Sequence, residues 1–482
     1  MTGIGRITLG LAVLALVGLA SAPASAAASG TPATPRPGPL SPAFVQALQD
    51  PLVRLGLGRM PGPVAVHVSA AARRAAERRS TPPAFSLLDA PVRLTPVKSQ
   101  GAFGTCWAFA NIAALESKLL PDQTRDYSED NLIGRSGFGT SMEWRYSWGG
   151  FDFMAVAYFA RWDGPVDERD DPYPSPTPPR VNRTRKHVQG VVMIPGRADP
   201  LDNALVKRLV MENGALSAGM WWDDAFYDAA GAGTGYAAYY LPEARGENHG
   251  VDIVGWDDTV PAAAFAGRGR QAPPGDGAFL VRNSWGPDWG ESGYFWVSYY
   301  DRSFAREQGL GGNGGCTSYA RIDGTREFSR NYQYDTLGVT DRWGYDDETA
   351  WAANRFTAAA TERIAAAGFY TLASGTAYEV WAGRTLRTMT RRGTGTVELP
   401  GYTTVPLVAQ LSVTKGKRFV VAVRLVSPGE RYPVAVERPA TDWQRAATAR
   451  TGQSFMSSDG RSWTDMNAHG GQINVCLKAF AD

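Results

Sequence analysis

Cys106 stands six residues after Gln100 and opens a strongly apolar run, Trp107-Ala-Phe-Ala-Asn-Ile-Ala-Ala-Leu115. A thiol in the first turn of a buried helix meets the positive end of the helix dipole, which lowers its pKa and favours the nucleophilic thiolate. The chain holds three cysteines, Cys106, Cys316 and Cys476, so neither a dense disulfide framework nor a Cys-x-x-Cys metal or redox pair accounts for this one. A thiol nucleophile needs a base, a group that orients the base, and donors for an oxyanion. Of the four histidines, His67 falls in an alanine- and proline-rich stretch, His187 ends the charged run Arg183-Thr-Arg-Lys-His187, and His469 sits in a polar tail. His249 alone opens a strand-like run, Gly250-Val-Asp-Ile-Val-Gly-Trp256. Asn283, at the end of the next strand-like run, has a side-chain carbonyl able to accept the Nδ1 proton of an imidazole without adding charge. Trp285 follows closely enough to shield that bond from water, and the Gln100 amide can share an oxyanion with the Cys106 backbone N–H.

These groups are far apart in sequence, so secondary structure must bring them together. From Thr105 to Leu120 apolar residues cover nearly every face, which predicts a helix inside a core, with Thr105 as its N-cap. Residues 250–256, 278–282 and 293–299 read as neighbouring strands, and 261–277 as a surface loop. After Arg321 the pattern changes to short strands, at 368–372, 378–381, 418–426, 434–437 and 473–478, which predicts an all-β sandwich or barrel. The fold class expected is therefore α+β followed by an all-β domain.

At the N-terminus, Arg6, the apolar stretch 7–19 and Ala24-Ser-Ala26 read as a cleavable export signal. Its apolar core is shorter than the ~20 residues needed to span a bilayer, so a secreted product without a membrane span is expected. Residues 27–83 are rich in alanine, proline and arginine, read as loosely ordered, with a short basic helix over 71–79. The expected organisation is signal 1–26, prosegment or linker 27–83, a first domain 84–321 and a β domain 322–482. A net charge of 49 − 47 = +2 gives no reason to expect nucleic acid as a partner. The acidic runs Asp167-Glu-Arg-Asp-Asp171 and Asp346-Asp-Glu348 lack the ligand spacing of a calcium loop, and no metal or cofactor is expected.

Three motifs in order carry a family resemblance: Gln100-Gly-Ala-Phe-Gly-Thr-Cys106-Trp-Ala-Phe109, Asn248-His249-Gly-Val-Asp-Ile-Val-Gly255, and Asn283-Ser-Trp285-Gly-Pro-Asp-Trp289-Gly-Glu-Ser-Gly293-Tyr294. The chain resembles papain-like cysteine peptidases over about 85–321. His249 lies 249 − 106 = 143 residues after Cys106, within the roughly 130 to 150 of that family. The resemblance implies a two-lobed peptidase, helical on one side and barrel-like on the other. It implies Cys106 as nucleophile, His249 as base and acid, Asn283 as orienter and Gln100 as oxyanion donor. Gly149 and Gly150 would bind substrate backbone as an extended strand. Trp285 and Trp289 would lie beside the substrate, with Trp289 on the leaving-group side. Two positions depart from the family pattern: Phe103 stands where many relatives carry a cysteine, and Thr105 where serine is usual.

The C-terminal part resembles the lectin-like β domain found after bacterial and archaeal papain-like peptidases, although a likeness of fold does not establish sugar binding. The reading expected is a secreted cysteine peptidase acting on proteins or peptides through an acyl-enzyme. The alternatives are a non-catalytic surface protein that holds cell-surface glycan, and a cell-wall peptide hydrolase or transpeptidase. By position, residues 27–83 would mask the cleft. In a secreted protein Cys316 and Cys476 are expected to pair, although connectivity is not readable from sequence.

Overall fold

Helix Cys106–Leu119 is buried at every position but Lys118, as its all-round apolar sequence requires. Glu116 inside it is buried too, and accepts from the Thr95 hydroxyl at 2.6 Å and the Tyr127 N–H at 2.7 Å. A second helix, Asp152–Ala160, is buried along its whole length and packs beside the first. These observations come from a computed structural model that describes residues 33–49, 57–139, 141–175, 177, 179, 183–308, 312–313, 315–439, 447–468 and 471–482. The expected leader at 1–26 and His469 lie outside the described residues.

Facing the helices is an antiparallel array in which strands Cys316–Asp323, Leu216–Met220, His249–Asp257, Ala278–Arg282 and Tyr294–Ser298 lie side by side. Its registers pair Met220 with His249, and Asp252 with Arg282. Strands 249–257, 278–282 and 294–298 match the three runs read from sequence to within one or two residues. Strand Leu216–Met220, which separates 249–257 from 316–323, carries the small residues Ser217, Ala218 and Gly219 and gives no comparable sequence signal.

The C-terminal residues form the expected sandwich. Strands Glu362–Thr371, Gly401–Val413 and Leu477–Ala481 make one layer; Thr376–Gly383, Arg418–Val426, Thr349–Thr357 and Ser454–Ser457 belong to the six-stranded sheet of the other. Between them lie Phe369, Leu407 and Leu411 from one side and Val380, Val421 and Val423 from the other. On strand Arg418–Val426 the alternate residues Val420 and Ala422 face outward into a separate cluster with Phe455, Trp381 and Trp463, so a period-two strand is apolar on both faces. Strands 349–357, 390–397 and 401–413 were not among those expected from sequence. Polar residues and long threonine-rich stretches interrupt their apolar pattern.

The two units are joined by more than a linker. Gly401–Thr403 pair with Val192–Gly190, so one 13-stranded sheet runs through both. Phe153 packs against Tyr370, and the Arg161 guanidinium donates to the Thr336 carbonyl at 2.7 Å.

The chain departs from expectation at its cysteines and in residues 27–83. All three cysteines are free. Cys316 belongs to the core beneath strand 216–220, whereas Cys476 packs in the other core with Phe153 and Tyr370. Each of these two side chains packs in its own core, a role common for unpaired cysteine. Intact-mass measurement on the denatured chain is expected to count three alkylatable thiols without reductant, and reduction should add none. The second departure concerns residues 27–83. Arg36–Pro37 add an edge strand to Asp341–Gly344, Pro42–Gln49 form a helix whose Phe44 is fully buried, and His67 pairs with the backbone at Leu372 and Ser374. The expected basic helix spans Ala70–Glu77, capped by the Ser69 hydroxyl, with Ala76 buried and Arg73 paired to Asp202. Among the described residues, 33–49 and 57–83, proline-rich composition therefore does not prevent order, which these residues find on the surfaces of both later units.

Candidate active site

Cys106 begins the buried helix, and its Sγ accepts the Gly250 N–H at 3.1 Å. The start of strand 249–257 therefore meets the first turn of the helix. A Cβ built on Gly250 would lie 3.3–3.4 Å from Arg59 and the Cys106 backbone, so only glycine fits this approach without displacement. Thr105 does not cap the helix with its side chain. Its hydroxyl bonds the Tyr173 hydroxyl at 2.8 Å instead, because Tyr173 closes over that face.

His249 is fully buried, with its Nε2 2.8 Å from Asn283 Oδ1. The same Oδ1 accepts the Ser284 N–H at 2.8 Å, which identifies it as the oxygen. His249 Nε2 must therefore donate, and Nδ1 carries the lone pair. This corrects the expectation that Nδ1 would face Asn283: the ring is turned the other way, and Nδ1 has no hydrogen-bond partner. Trp285 stacks on the imidazole with centroids 4.9 Å apart, and Trp222 meets it edge-on. Asn248 fixes the backbone just before His249 by bonding both the N–H and the carbonyl of Trp222. Trp289 packs at right angles on Trp285 and also against Trp222 and Tyr227. It thus serves as a support for Trp285 in this form.

Gln100 is 1% exposed. Its Oε1 accepts from the Ser284 hydroxyl at 2.6 Å, which leaves Nε2 to donate to the carbonyls of Phe103, at 2.7 Å, and Leu57, at 3.1 Å. Leu57 begins a stretch that fills the cleft. Gly150 N–H donates to the Gly58 carbonyl at 2.9 Å, and Met60 N–H to the Gly150 carbonyl at 2.9 Å, a parallel bridge centred on Arg59. A Cβ on Gly149, whose φ is +77°, would fall 2.6 Å from the Gly58 oxygen, and one on Gly150 would strike the Trp107 ring. Gly150 thus hydrogen-bonds backbone, here the chain's own, and Gly149 leaves room for its approach. Phe103 is half exposed and meets the Tyr146 ring edge-on at 4.9 Å.

Three charged residues of this region had not been singled out from the sequence. Arg59 runs from the cleft-filling segment into a buried pocket, where it donates Nε to Glu247 at 2.8 Å and both terminal nitrogens to Asp152 at 2.7 and 3.1 Å. Burial works against its charge, yet Asp152 and Glu247 outweigh that and hold its pKa above the ordinary value. Glu247 is two residues before His249 and Asp152 two after Gly150, so the signal available was acidic residues beside motif glycine and histidine. The acidic run at 167–171 is structural by contrast: Arg185 pairs with Asp167 and Asp170.

Burial pushes the Cys106 thiol up to about 12, against the pull of the Gly250 N–H and the Arg59 charge. It pushes the His249 imidazole down to about 4, despite the Asn283 bond. In the filled cleft the pair is therefore thiol and neutral imidazole at neutral pH, not the ion pair that a helix N-terminus alone leads one to expect, because desolvation disfavours both charges.

The described geometry, a thiol at a helix start, an imidazole held by an asparagine oxygen and an amide aimed into a cleft, suits acyl transfer. The sequence pattern described as papain family cysteine protease matches residues 81–308, and the pattern described as lectin-like domain matches 331–481. The first unit of this chain is similar to papain-family cysteine proteases. Among solved structures, the cysteine protease and lectin-like domains of Cwp84, a surface layer associated protein of Clostridium difficile, superpose with a TM-score of 0.76 at 25% identity, over 94% of this chain and 99% of that one. The Clostridial protein after propeptide cleavage gives 0.69 at 25% identity over 83% of this chain. Cysteine protease 1 of Oryza sativa subsp. japonica is 33% identical over 210 residues, and vignain of Vigna mungo 28% over 232. The chain spans 37% and 56% of the length of those two curated relatives.

If the site acts on peptides, Asn283→Ala is expected to lower kcat/KM about 10²-fold with a small change in KM, since the imidazole loses the acceptor that fixes its tautomer and plane. Steady-state kinetics on a fluorogenic peptide check the split.

Proposed function

We propose that the chain is an exported cysteine peptidase that hydrolyses peptide bonds with Cys106, His249, Asn283 and Gln100, and that residues preceding about 83 keep it latent. The observation that carries the reading is the free Nδ1 of His249, with its Nε2–H held by Asn283 and the Cys106 sulfur in contact with the next residue. Once the cleft opens to water, Nδ1 takes the thiol proton, and the thiolate attacks the substrate carbonyl. Gln100 Nε2 and the Cys106 N–H receive the oxyanion, and the His249 imidazolium protonates the leaving amine. Water, activated by the now neutral imidazole, releases the acyl group from sulfur.

Latency is supported by the Leu57 carbonyl on the Gln100 amide and by the Gly58–Met60 backbone on Gly150, which occupy the places a substrate needs. The match to the Clostridial relative falls from 94% of this chain to 83% for the form after propeptide cleavage, which supports reading the N-terminal residues as an equivalent segment. The leader-like residues 1–26 and the relative's surface-layer association support work outside the cell or at its surface. Strand Arg36–Pro37 and the backbone of His67, both held by the C-terminal unit, support a part for that unit in seating the segment.

A thiol-directed epoxide tests the assignment. The unmasked chain should be labelled once and lose casein hydrolysis in proportion. Casein left intact while purified wall peptides are cut would move the substrate to the cell wall, and no labelling at all would reject the enzyme.

A further inference from the structure

We infer that the buried pocket beside Gly150 takes an arginine side chain of the substrate, and that Arg59 occupies it in the covered form as a stand-in. This rests on the peptidase reading above and adds to it the substrate class that the site selects.

The pocket is built for a guanidinium. Asp152 and Glu247 are 6% and 3% exposed, and they take the fork from two directions, Asp152 bidentate and Glu247 on Nε. Such geometry suits the planar donors of arginine and is poorly met by the point charge of lysine. The carboxylate of Asp152 is held independently of Arg59: it accepts from Asn111 Nδ2 at 2.8 Å, Thr317 Oγ1 at 2.6 Å and Ser217 Oγ at 3.2 Å, and it opens helix 152–160, whose dipole favours an anion. Those donors stay when the N-terminal segment leaves, so an acidic pocket remains. Space for the charged end comes from Gly219, where a Cβ would lie 1.6 Å from Glu247 Oε2 and 2.9 Å from Arg59 Nε. Apolar walls, including Phe151, Met193, Ile194 and Cys316, line the same pocket and suit the methylene stem of arginine.

Its place relative to the reaction follows from the segment that fills it. The backbone of residues 58–60 pairs with Gly150, and the carbonyl on Gln100 belongs to Leu57. The pocket therefore reads a side chain one or two residues from the carbonyl that faces Cys106. An apolar side chain there would leave two desolvated carboxylates without a counter-charge, which is strongly unfavourable.

The full chain, folded first and then nicked at a specific protease site inserted in the exposed stretch 78–80, is assayed on fluorogenic peptides. Two series carry Arg, Lys, Leu or Glu, one at the residue before the one whose carbonyl is cleaved and one at the second residue after it, the side on which Arg59 follows Leu57 in the parallel bridge to Gly150; the more selective series is read. Arginine is expected to exceed leucine in kcat/KM at least about a hundredfold and lysine about tenfold. Glu247→Gln in the same nicked chain should narrow the arginine-to-leucine ratio about tenfold or more; if that variant does not fold, the ratio in the unsubstituted chain decides by itself. Leucine preferred or equal, with casein digested and Cys106 labelled by the epoxide, overturns the pocket assignment and leaves the peptidase standing. Neither digestion nor labelling overturns both.

Discussion

Cys106→Ala is expected to lower peptide hydrolysis by the unmasked chain at least about 10⁴-fold while leaving the fold in place. On the proposed mechanism the Cys106 thiol forms the acyl intermediate, and removing the nucleophile from a catalytic set costs nearly as much as removing the whole set. What survives is the residual contribution of binding and of the Gln100 and backbone donors. Structurally the change is mild. Cys106 is fully buried and its Sγ accepts only backbone N–H groups, Gly250 among them, so alanine leaves a small void worth about 1 kcal/mol. Kinetics on a fluorogenic peptide, with thermal unfolding of the same sample, separate the two effects. Activity within tenfold of the parent would show that another group attacks the substrate.

Arg59→Ala in the full chain is expected to release the N-terminal segment from the cleft and raise peptidase activity about a hundredfold. Arg59 carries the charge that balances Asp152 and Glu247. Truncating one partner of such a buried arrangement costs about 3–5 kcal/mol, of which each 1.4 kcal/mol shifts the covered-to-open ratio tenfold. The backbone bonds from Gly58 and Met60 to Gly150 remain but are exchangeable for water. Alkylation of Cys106 gives an independent readout. In the covered chain burial pushes the thiol up to about 12, so at pH 7 it is protonated and the reaction with iodoacetamide should rise about tenfold per pH unit up to pH 9 or beyond. With the cleft open, desolvation is relieved and the helix N-terminus and the imidazole act on a hydrated thiol. The rate at pH 7 should then be high and nearly flat with pH. An Arg59→Ala chain as inert as the parent in both assays would show that the segment is held by other contacts.

How far the site could be read in advance depended on how local each signal was. Gln100 and Cys106 share one short motif, as do Asn283 and Trp285, and His249 is the histidine that begins a buried strand. Structure brings all of these to one cleft. The peptidase strands 249–257 and 278–282 were similarly legible, since apolar β-branched runs with flanking turn residues mark them. In the β domain, strand 418–426 was visible for the same reason. Strand 390–397, Thr-Arg-Arg-Gly-Thr-Gly-Thr-Val, was not, because its pairing with 376–383 and not its own composition holds it extended. Phe103 and Thr105 marked departures from the family pattern. Their outcomes, an edge contact with Tyr146 on helix Met142–Ser147 and a bond to Tyr173 in a later loop, depend on segments more than forty residues away.

From the amino-acid order alone come the chemistry available at the site, the buried nucleophile helix, and the change from a mixed α and β unit to an all-β one, since each is written in residue types within a few positions of one another. Tertiary structure decided which imidazole nitrogen faces Asn283, that Cys316 and Cys476 lie in different cores, and that Arg59 enters the pocket of Asp152 and Glu247. Those outcomes depend on distances between segments separated by 34 to 188 residues, and on the desolvation that such packing imposes. No local pattern encodes either quantity.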